Sequence, residues 1–314
     1  MTTAIEAMTT ATEAMSVQGS PIHPHTTGRI ELVNGTNDGA SAFIDPSTGH
    51  TNLNPKKIHH VDLYDIREQH PPAALATEGY QFSEYPTMLT EQQFMSYQST
   101  AGKQFIQDAY WPEVRRLIET TLPSAARVVP WHFSVRNAMP GYHPDEVFFM
   151  KTGVAQPQAN LHSDNDHVTA AAHLVRIFGE EAAAELLTKY KRWCMVNTWR
   201  PIGEPVQSWP LVIVDHSKVS NWQYETHVTK IHRSNDSSYY KKYDNFLKHD
   251  PDYVYRYVSR HAPDEVIMFR DYDSRKDRYR GTPHGAFQDD RTPADAPPRR
   301  SIEVRCFVFF EEDN

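Results

Sequence analysis

From residue 127 onward, proline and glycine divide the sequence into short apolar segments, and this division limits the possible folds more than any other feature. Short apolar runs between turn residues favour strands. The predicted strands cover residues 128–137, 193–202, 210–216, 226–232, 265–272, 283–288 and 301–311. Many short strands with a few helices predict a mainly β fold, either a sandwich or a jelly-roll barrel, with flanking helices.

Three stretches of the chain are predicted to be helical. In residues 91–122, Pro112 suits the first turn of a second helix, because its missing N–H costs nothing there. A helical insertion is predicted near residues 166–192, where Asp166 can cap one helix and Gly179 separates it from the next. A polar, tyrosine-rich stretch at residues 237–248 is predicted to be a second helical insertion.

The first 57 residues differ in composition from the rest of the chain. They contain one aromatic residue, Phe43, and a near-perfect duplication of seven residues at 2–8 and 9–15. Two short copies are too few for a repeat fold and form at most a marginal helix. We therefore expect residues 1–57 to be a flexible N-terminal extension, and residues 58–314 to form a single domain that begins with a strand.

Charge and cysteine content exclude several classes of protein. The chain has 32 basic and 40 acidic residues, and a net charge of −8 argues against a nucleic-acid binder. The longest apolar run, residues 306–310, is far shorter than the roughly 20 residues of a membrane-spanning helix. Two cysteines, Cys194 and Cys306, cannot form a disulfide framework or a cysteine-based zinc module. With no secretory signal at the N-terminus, these features predict a cytoplasmic protein.

The most informative motif for chemistry is His162-Ser163-Asp164. Residues two apart on a strand point to the same face, so His162 and Asp164 would project together. An imidazole and a carboxylate are two of the three ligands of a 2-His-1-carboxylate iron site. His284, on the predicted strand 283–288, is the candidate for the third ligand. Asp166 and His167 are close enough to compete as ligands, although Asp166 fits a helix N-cap.

The last predicted strand offers a candidate anion site. Arg299 and Ser301 share a strand face, and a guanidinium with a hydroxyl suits the distal carboxylate of a dicarboxylic co-substrate. Arg305 lies on the same alternating face and is an alternative anchor. Arg200, at the end of the strand 193–202, is a further candidate for contacting the substrate or co-substrate.

The order of these motifs, His-x-Asp, then a distant His, then Arg-x-Ser on the last strand, resembles that of the Fe(II)/2-oxoglutarate-dependent oxygenases. More narrowly, the chain is similar to the fungal gibberellin desaturase and cephamycin-biosynthesis hydroxylase group. The strings that carry the resemblance lie within residues 58–312, at 196–202, 205–206, 209–211, 264–266, 272–274, 283–287 and 299–305.

The resemblance implies a double-stranded β-helix (jelly-roll, cupin-like) core. It also implies that His162, Asp164 and His284 hold Fe(II), and that Arg299 with Ser301 anchors 2-oxoglutarate. Together with O2 these cofactors would oxidise a C–H bond of a small specialised metabolite. Hydroxylation, desaturation and cyclisation begin with the same step, so the resemblance implies all three equally.

Other functions remain open from the residues alone. A non-catalytic metal-binding β-barrel and a cupin enzyme that does not use 2-oxoglutarate are both compatible with the same histidines. The pair Asp271 and Asp273 resembles the acidic pair of a metal-dependent glycosyltransferase, but nothing like a nucleotide-binding half precedes it. The sequence has no glycine-rich phosphate loop and no Gly-x-Ser-x-Gly nucleophile motif.

Overall fold

A computed structural model describes residues 23–45, 48–139, 155–233, 243–275 and 281–312. The strands are β1 (Thr26–Leu32), β2 (Phe43–Ile44), β3 (Lys57–Asp65), β4 (Tyr80–Glu84), β5 (Arg127–Asn137), β6 (His162–Ser163), β7 (Arg192–Pro201), β8 (Leu211–Asp215), β9 (Val228–Arg233), β10 (Tyr243–Leu247), β11 (Val254–Tyr257), β12 (Glu265–Asp273), β13 (His284–Ala286), β14 (Gln288–Asp289) and β15 (Arg300–Phe310). The α-helices are α1 (Glu91–Met95), α2 (Thr100–Thr121), α3 (His167–Phe178), α4 (Glu180–Lys189) and α5 (Tyr224–His227), and two short 3-10 helices cover Ile66–Glu68 and Ser96–Gln98.

The strands form two sheets. The larger sheet has the order β14-β1-β3-β11-β8-β13-β6-β10-β9-β2, and the smaller has the order β4-β12-β7-β15-β5. Within them, β11-β8-β13-β6 and β12-β7-β15-β5 are two antiparallel groups of four strands between which the chain alternates. This alternation is the double-stranded β-helix, and the predicted fold class is confirmed.

A layer of apolar side chains lies between the two sheets. Ile213 of β8 packs in one buried cluster with Trp199 of β7 and with Ile267 and Phe269 of β12. Each of these side chains is at most 2% exposed, so the sheets are held together by burial of large apolar groups. The metal-binding candidates lie beside this layer, on strands whose positions it fixes.

Helix α2 covers the opposite face of the smaller sheet. Its residues Ile106, Tyr110, Val114 and Ile118 are buried against that sheet. The helix is continuous through Pro112, so the prediction that a second helix begins there is wrong. A proline inside a helix loses one backbone hydrogen bond. Here the buried stripe extends to both sides of the proline, and its packing keeps the two halves in one helix.

Helices α3 and α4 lie within the predicted insertion at 166–192. Leu174 and Leu186 of these helices pack against Trp193, Phe307 and Phe309 of the smaller sheet.

In the second predicted insertion, residues 234–242 lie outside the described residues, and Tyr243–Leu247 form strand β10 rather than a helix. Pairing of β10 with β9 and β6 satisfies its backbone groups, which outweighs the local helical pattern. In the part of the chain that the structure describes, no helix is both long and apolar enough to span a membrane.

The predicted boundary at residue 57 requires correction. Residues 1–22 lie outside the described residues, but Thr26–Leu32 form β1, which pairs with β3 over seven residues. Ile30 and Leu32 are fully buried under this sheet. The composition of this segment, with few aromatic and basic residues and no sustained period, favours an extension, but a short strand needs only a few alternating apolar residues once it pairs with a neighbour.

Candidate metal centre

The double-stranded β-helix brings His162, Asp164 and His284 together. His162 on β6 and His284 on β13 are direct cross-strand partners, and Asp164 follows β6 immediately. One ligand atom from each residue lies within 4.8 Å of those of the other two. Among the described residues this is the only group of three or more His, Cys, Asp or Glu side chains with such spacing.

Both histidine rings are oriented by the backbone. Nδ1 of His162 lies 2.8 Å from the carbonyl oxygen of Asn160, and Nδ1 of His284 lies 3.0 Å from that of Thr282. A carbonyl oxygen only accepts, so each Nδ1 carries the proton and each Nε2 keeps the lone pair that a metal needs. Phe269 packs against His284 with ring centroids 4.4 Å apart, which further restricts that ring.

The carboxylate of Asp164 has two distinct oxygens. Oδ1 faces His162, 3.6 Å from its Nε2. Oδ2 receives a hydrogen bond from Asn197 Nδ2 at 3.1 Å and an ion pair from Arg305 at 2.9 Å. Nε of Arg305 donates to Glu303 Oε1 at 2.9 Å. Although burial disfavours the guanidinium charge, the carboxylates of Asp164 and Glu303 raise the pKa of Arg305 above its ordinary value.

The loop after Asp164 is fixed by separate contacts. The backbone N–H of Asn165 donates to Asp271 Oδ1 at 3.2 Å, and its side-chain amide donates to the other oxygen of the same buried carboxylate.

Asp166 accepts from the backbone N–H groups of Val168 and Thr169 and so caps α3, as predicted. Burial opposes its charge, but the hydrogen bonds from Lys230 and Thr169 hold the pKa of Asp166 below its ordinary value. Asp166 is therefore a structural cap, not a member of the triad.

Arg299 and Ser301 lie on the inner side of the smaller sheet, next to Trp199. The Arg299 guanidinium is 5.4 Å from the centre of the Trp199 ring and donates to the carbonyl oxygen of Trp209. Trp209 has a φ of 50°, in the left-handed region that residues other than glycine rarely adopt. Ser301 Oγ is buried, and it makes no hydrogen bond within the described ranges.

The structure places Arg200 away from these residues and corrects its prediction as a substrate or co-substrate contact. Its guanidinium donates to the carbonyl oxygens of Tyr85 and Pro263 and lies over the ring of Tyr110 in α2. Asn197 and Arg200 are three residues apart on one strand, so they point to opposite faces. Arg200 belongs to the face that α2 covers.

The sequence does not predict that Asn197, Glu303 and Asp271 lie near the triad, and Asp271 is considered above only as one of an acidic pair. Each lies on a long strand that combines apolar and polar residues, and each is 6% exposed or less. A buried polar group is costly unless it is hydrogen-bonded, so a polar residue among the apolar residues of a strand is a usable signal. The sequence does not reveal the partner, which for Asn197 and Asp271 lies on another element of the fold and for Glu303 is Arg305 of the same strand.

The donor set fits a metal ion of the Fe(II) type. Two imidazoles with Nε2 available and one carboxylate oxygen form the 2-His-1-carboxylate set, which is typical of non-haem Fe(II) oxygenases. Both histidines have the second hydrogen bond that metal-bound imidazoles usually have.

Comparisons with known proteins agree with this chemistry. Residues 32–309 match the model of a family described as "Oxidoreductase/YMDC permease-like domain". Oxidoreductase R1 of a Phoma species is 39% identical over 92% of this chain and 99% of its own length. An Fe(II)/2-oxoglutarate-dependent dioxygenase, nvfI of Aspergillus novofumigatus, is 26% identical over 88% of this chain and 92% of its own.

A solved structure of the iron and alpha-ketoglutarate-dependent endoperoxidase NvfI covers 91% of this chain and 99% of its own, with a TM-score of 0.73 and 25% identity. The chain therefore belongs to the oxidoreductase family whose model matches residues 32–309. Its predicted resemblance to the Fe(II)/2-oxoglutarate-dependent oxygenases is confirmed.

Proposed function

We propose that this oxidoreductase binds Fe(II) through His162, Asp164 and His284 and couples the oxidative decarboxylation of 2-oxoglutarate to oxidation of a C–H bond in a small specialised metabolite. The observation that carries the proposal is the triad itself, with both Nδ1 atoms bound to backbone carbonyls. When bound, Fe(II) supplies the redox chemistry by which O2 and 2-oxoglutarate oxidise the substrate. The residues of the chain supply binding, orientation and exclusion of water.

Arg299 and Ser301 support the assignment of 2-oxoglutarate as the co-substrate. The guanidinium of Arg299 lies over the ring of Trp199. Trp199 and Asn197 are two residues apart on β7, which separates their backbones by roughly 7 Å. Because Asn197 donates to Asp164, this spacing suits a five-carbon dicarboxylate that reaches from the metal to Arg299. The buried hydroxyl of Ser301, which has no hydrogen-bond partner among the described residues, adds a donor for the same distal carboxylate.

Arg305 is the less suitable anchor of the two arginines. Its Nε and one terminal nitrogen already contact the carboxylates of Glu303 and Asp164. A bidentate grip on a third carboxylate would require these contacts to break, and the released carboxylates would stay buried. We therefore assign the co-substrate to Arg299 and Ser301.

Succinate release tests the proposal. Purified protein is supplied with Fe(II), 2-oxoglutarate and ascorbate in air, where ascorbate supplies the two electrons that the unidentified substrate would give. Succinate is measured for the wild type and for His162→Ala. We expect iron-dependent succinate from the wild type, and none from the variant. The matched control is His60→Ala, which removes a surface histidine that pairs with Asp290 and should leave the yield unchanged. A wild-type protein that binds iron and produces no succinate would favour a cupin enzyme that does not use 2-oxoglutarate.

A further inference from the structure

We propose that Arg305 and Asn197 are positioning residues that hold Asp164 in a one-oxygen binding mode before the metal arrives. This inference rests on the proposed metal centre. It concerns the Oδ2 atom of Asp164, which receives both donors while Oδ1 faces His162.

The two donors reach Asp164 from adjacent strands. Arg305 of β15 and Asn197 of β7 are direct cross-strand partners, so the backbone register of the smaller sheet sets their separation. Asp164 lies on the other sheet, beyond the end of β6. The contacts of Arg305 and Asn197 with Asp164 therefore join the two sheets beside the metal centre. They fix Oδ2 of Asp164 relative to both sheets.

Glu303 sets the direction of the Arg305 side chain. Its Oε1 accepts from Nε of Arg305, and one terminal nitrogen of the same guanidinium contacts Oδ2 of Asp164. Glu303 is buried on the same face of β15 as Arg305. Arg305, which contacts Asp164, is thus itself fixed by Glu303. A side chain must be fixed in this way if it is to orient a metal ligand.

Holding Oδ2 has a direct consequence for metal binding. The terminal torsion of an aspartate side chain is broad, so an unrestrained carboxylate samples both one-oxygen and two-oxygen orientations. The hydrogen bond from Asn197 and the ion pair with Arg305 keep Oδ2 turned away and present Oδ1 beside the two histidines. Positions around the metal that a second carboxylate oxygen would occupy stay open for the co-substrate and O2.

Positioning and simple electrostatics predict opposite results for a variant without the Arg305 charge. A guanidinium close to a divalent cation repels it, so a purely electrostatic role means that removal of Arg305 strengthens metal binding. If Arg305 positions the ligand, its removal weakens metal binding in spite of the lost repulsion. Asn197 carries no charge, so its removal tests positioning alone.

The experiment is a titration of metal-free protein with Co(II), followed by the visible absorption of the bound ion. We expect Arg305→Met to weaken Co(II) binding about 100-fold and Asn197→Ala roughly 10-fold, within the range known for groups that orient metal ligands. Both variants should also alter the shape of the Co(II) spectrum. Arg305→Lys should recover part of the loss, because an ammonium replaces one of the contacts of the fork.

The matched control is Arg300→Met on the same strand, whose ion pair with Glu91 lies on the face away from Asp164. It removes an equal charge and should change the Co(II) affinity less than about twofold. Equal or tighter binding by Arg305→Met, or an unchanged affinity and spectrum in Asn197→Ala, would overturn the positioning role. Asn197→Ala decides the matter alone if Arg305→Met does not fold. Failure of the wild type to bind Co(II) would instead overturn the metal centre itself.

Discussion

The two faces of the smaller sheet are both largely buried, but their polar side chains make different contacts. The inner face combines apolar residues such as Trp199 and Phe269 with a polar group around Asp164, whereas the face under α2 is mainly apolar apart from Arg200. The inner face carries Asn197, Trp199, Ser301, Glu303 and Arg305, whereas the face under α2 carries Val196, Met268, Ile302, Val304 and Cys306. Asn197 and Val196 are neighbours in the sequence, and both are 0% exposed. Burial alone therefore does not distinguish a structural residue from a functional one in this protein.

What distinguishes the faces is how the polar groups are satisfied. On the α2 face, apolar side chains interlock with one helix, and their burial stabilises the fold. On the inner face, Asn197, Arg305 and Glu303 form hydrogen bonds that lead to one metal-ligand candidate, Asp164. Substitutions of Asn197, Arg305 or Glu303 should therefore affect ligand binding, and those of the apolar residues under α2 should affect stability.

The largest effect is expected from removal of a triad histidine. His284→Ala should abolish stable Fe(II) binding, a greater loss than the roughly 10- to 100-fold that changes in supporting groups cause. Thermal unfolding of the metal-free variant should stay close to that of the metal-free wild type. Iron content after anaerobic loading and desalting measures the first quantity, with His60→Ala as the control. Retention of a full equivalent of iron would remove His284 from the centre.

Ile106→Ala in α2 should lower stability and leave metal binding unchanged, the reverse of what we expect for His284→Ala. Ile106 is fully buried in the cluster under the smaller sheet, and loss of such a side chain costs about 2–5 kcal/mol of the free energy of unfolding. Its Fe(II) affinity in the folded state should match that of the wild type. Urea unfolding and metal titration measure the two quantities. A large loss of affinity with little loss of stability would mean that the two faces do not act separately.

Arg299→Ala should weaken the use of 2-oxoglutarate and spare the metal. A hydrogen bond to a charged group contributes about 1.5–3 kcal/mol, so KM for 2-oxoglutarate should rise roughly 10- to 150-fold. Arg299→Lys should recover part of this loss, because an ammonium lacks the planar fork. Steady-state kinetics with iron content measured in parallel is the test. A selective defect in Arg305→Ala with normal kinetics in Arg299→Ala would transfer the anchor to Arg305.

A smaller effect concerns acid stability. Burial lowers the pKa of His261, beside Trp199, to about 3, while in the unfolded chain a histidine titrates near 6.5. Below pH 6.5 the unfolded chain therefore binds a proton that the folded protein does not, and stability falls as the pH falls. Between pH 6.5 and 5 this amounts to about 2 kcal/mol. Urea unfolding at both pH values should show a smaller decrease for His261→Gln. Equal decreases in variant and wild type would refute this origin.

The sequence predicted those parts of the fold that local patterns determine. Strands β7, β12 and β15 are segments rich in apolar residues between turn residues, and the cap at Asp166 needs only a carboxylate ahead of a helix. The triad was predictable because its motif order is specific to a family. The strand Tyr243–Leu247 was missed because tertiary pairing, not its local pattern, decides its conformation.

The contact between Arg305 and Asp164 could not be predicted in the same way. It joins residues far apart in the sequence, and it depends on the register of β15 against β7 and on how the two sheets face each other. From the strand pattern alone, Arg299 and Arg305 have the same face and the same chemistry. Only the tertiary structure shows that one contacts Asp164 and the other lies over Trp199.

The most direct test of the account is anaerobic reconstitution of the wild-type protein with Fe(II), followed by addition of 2-oxoglutarate. If the three residues hold Fe(II) beside an anchor at Arg299, the keto acid should produce a weak charge-transfer band in the green region of the spectrum. The band should require both components and should be absent in His284→Ala. Stoichiometric iron binding by the wild type with no spectral change at saturating 2-oxoglutarate would contradict the account.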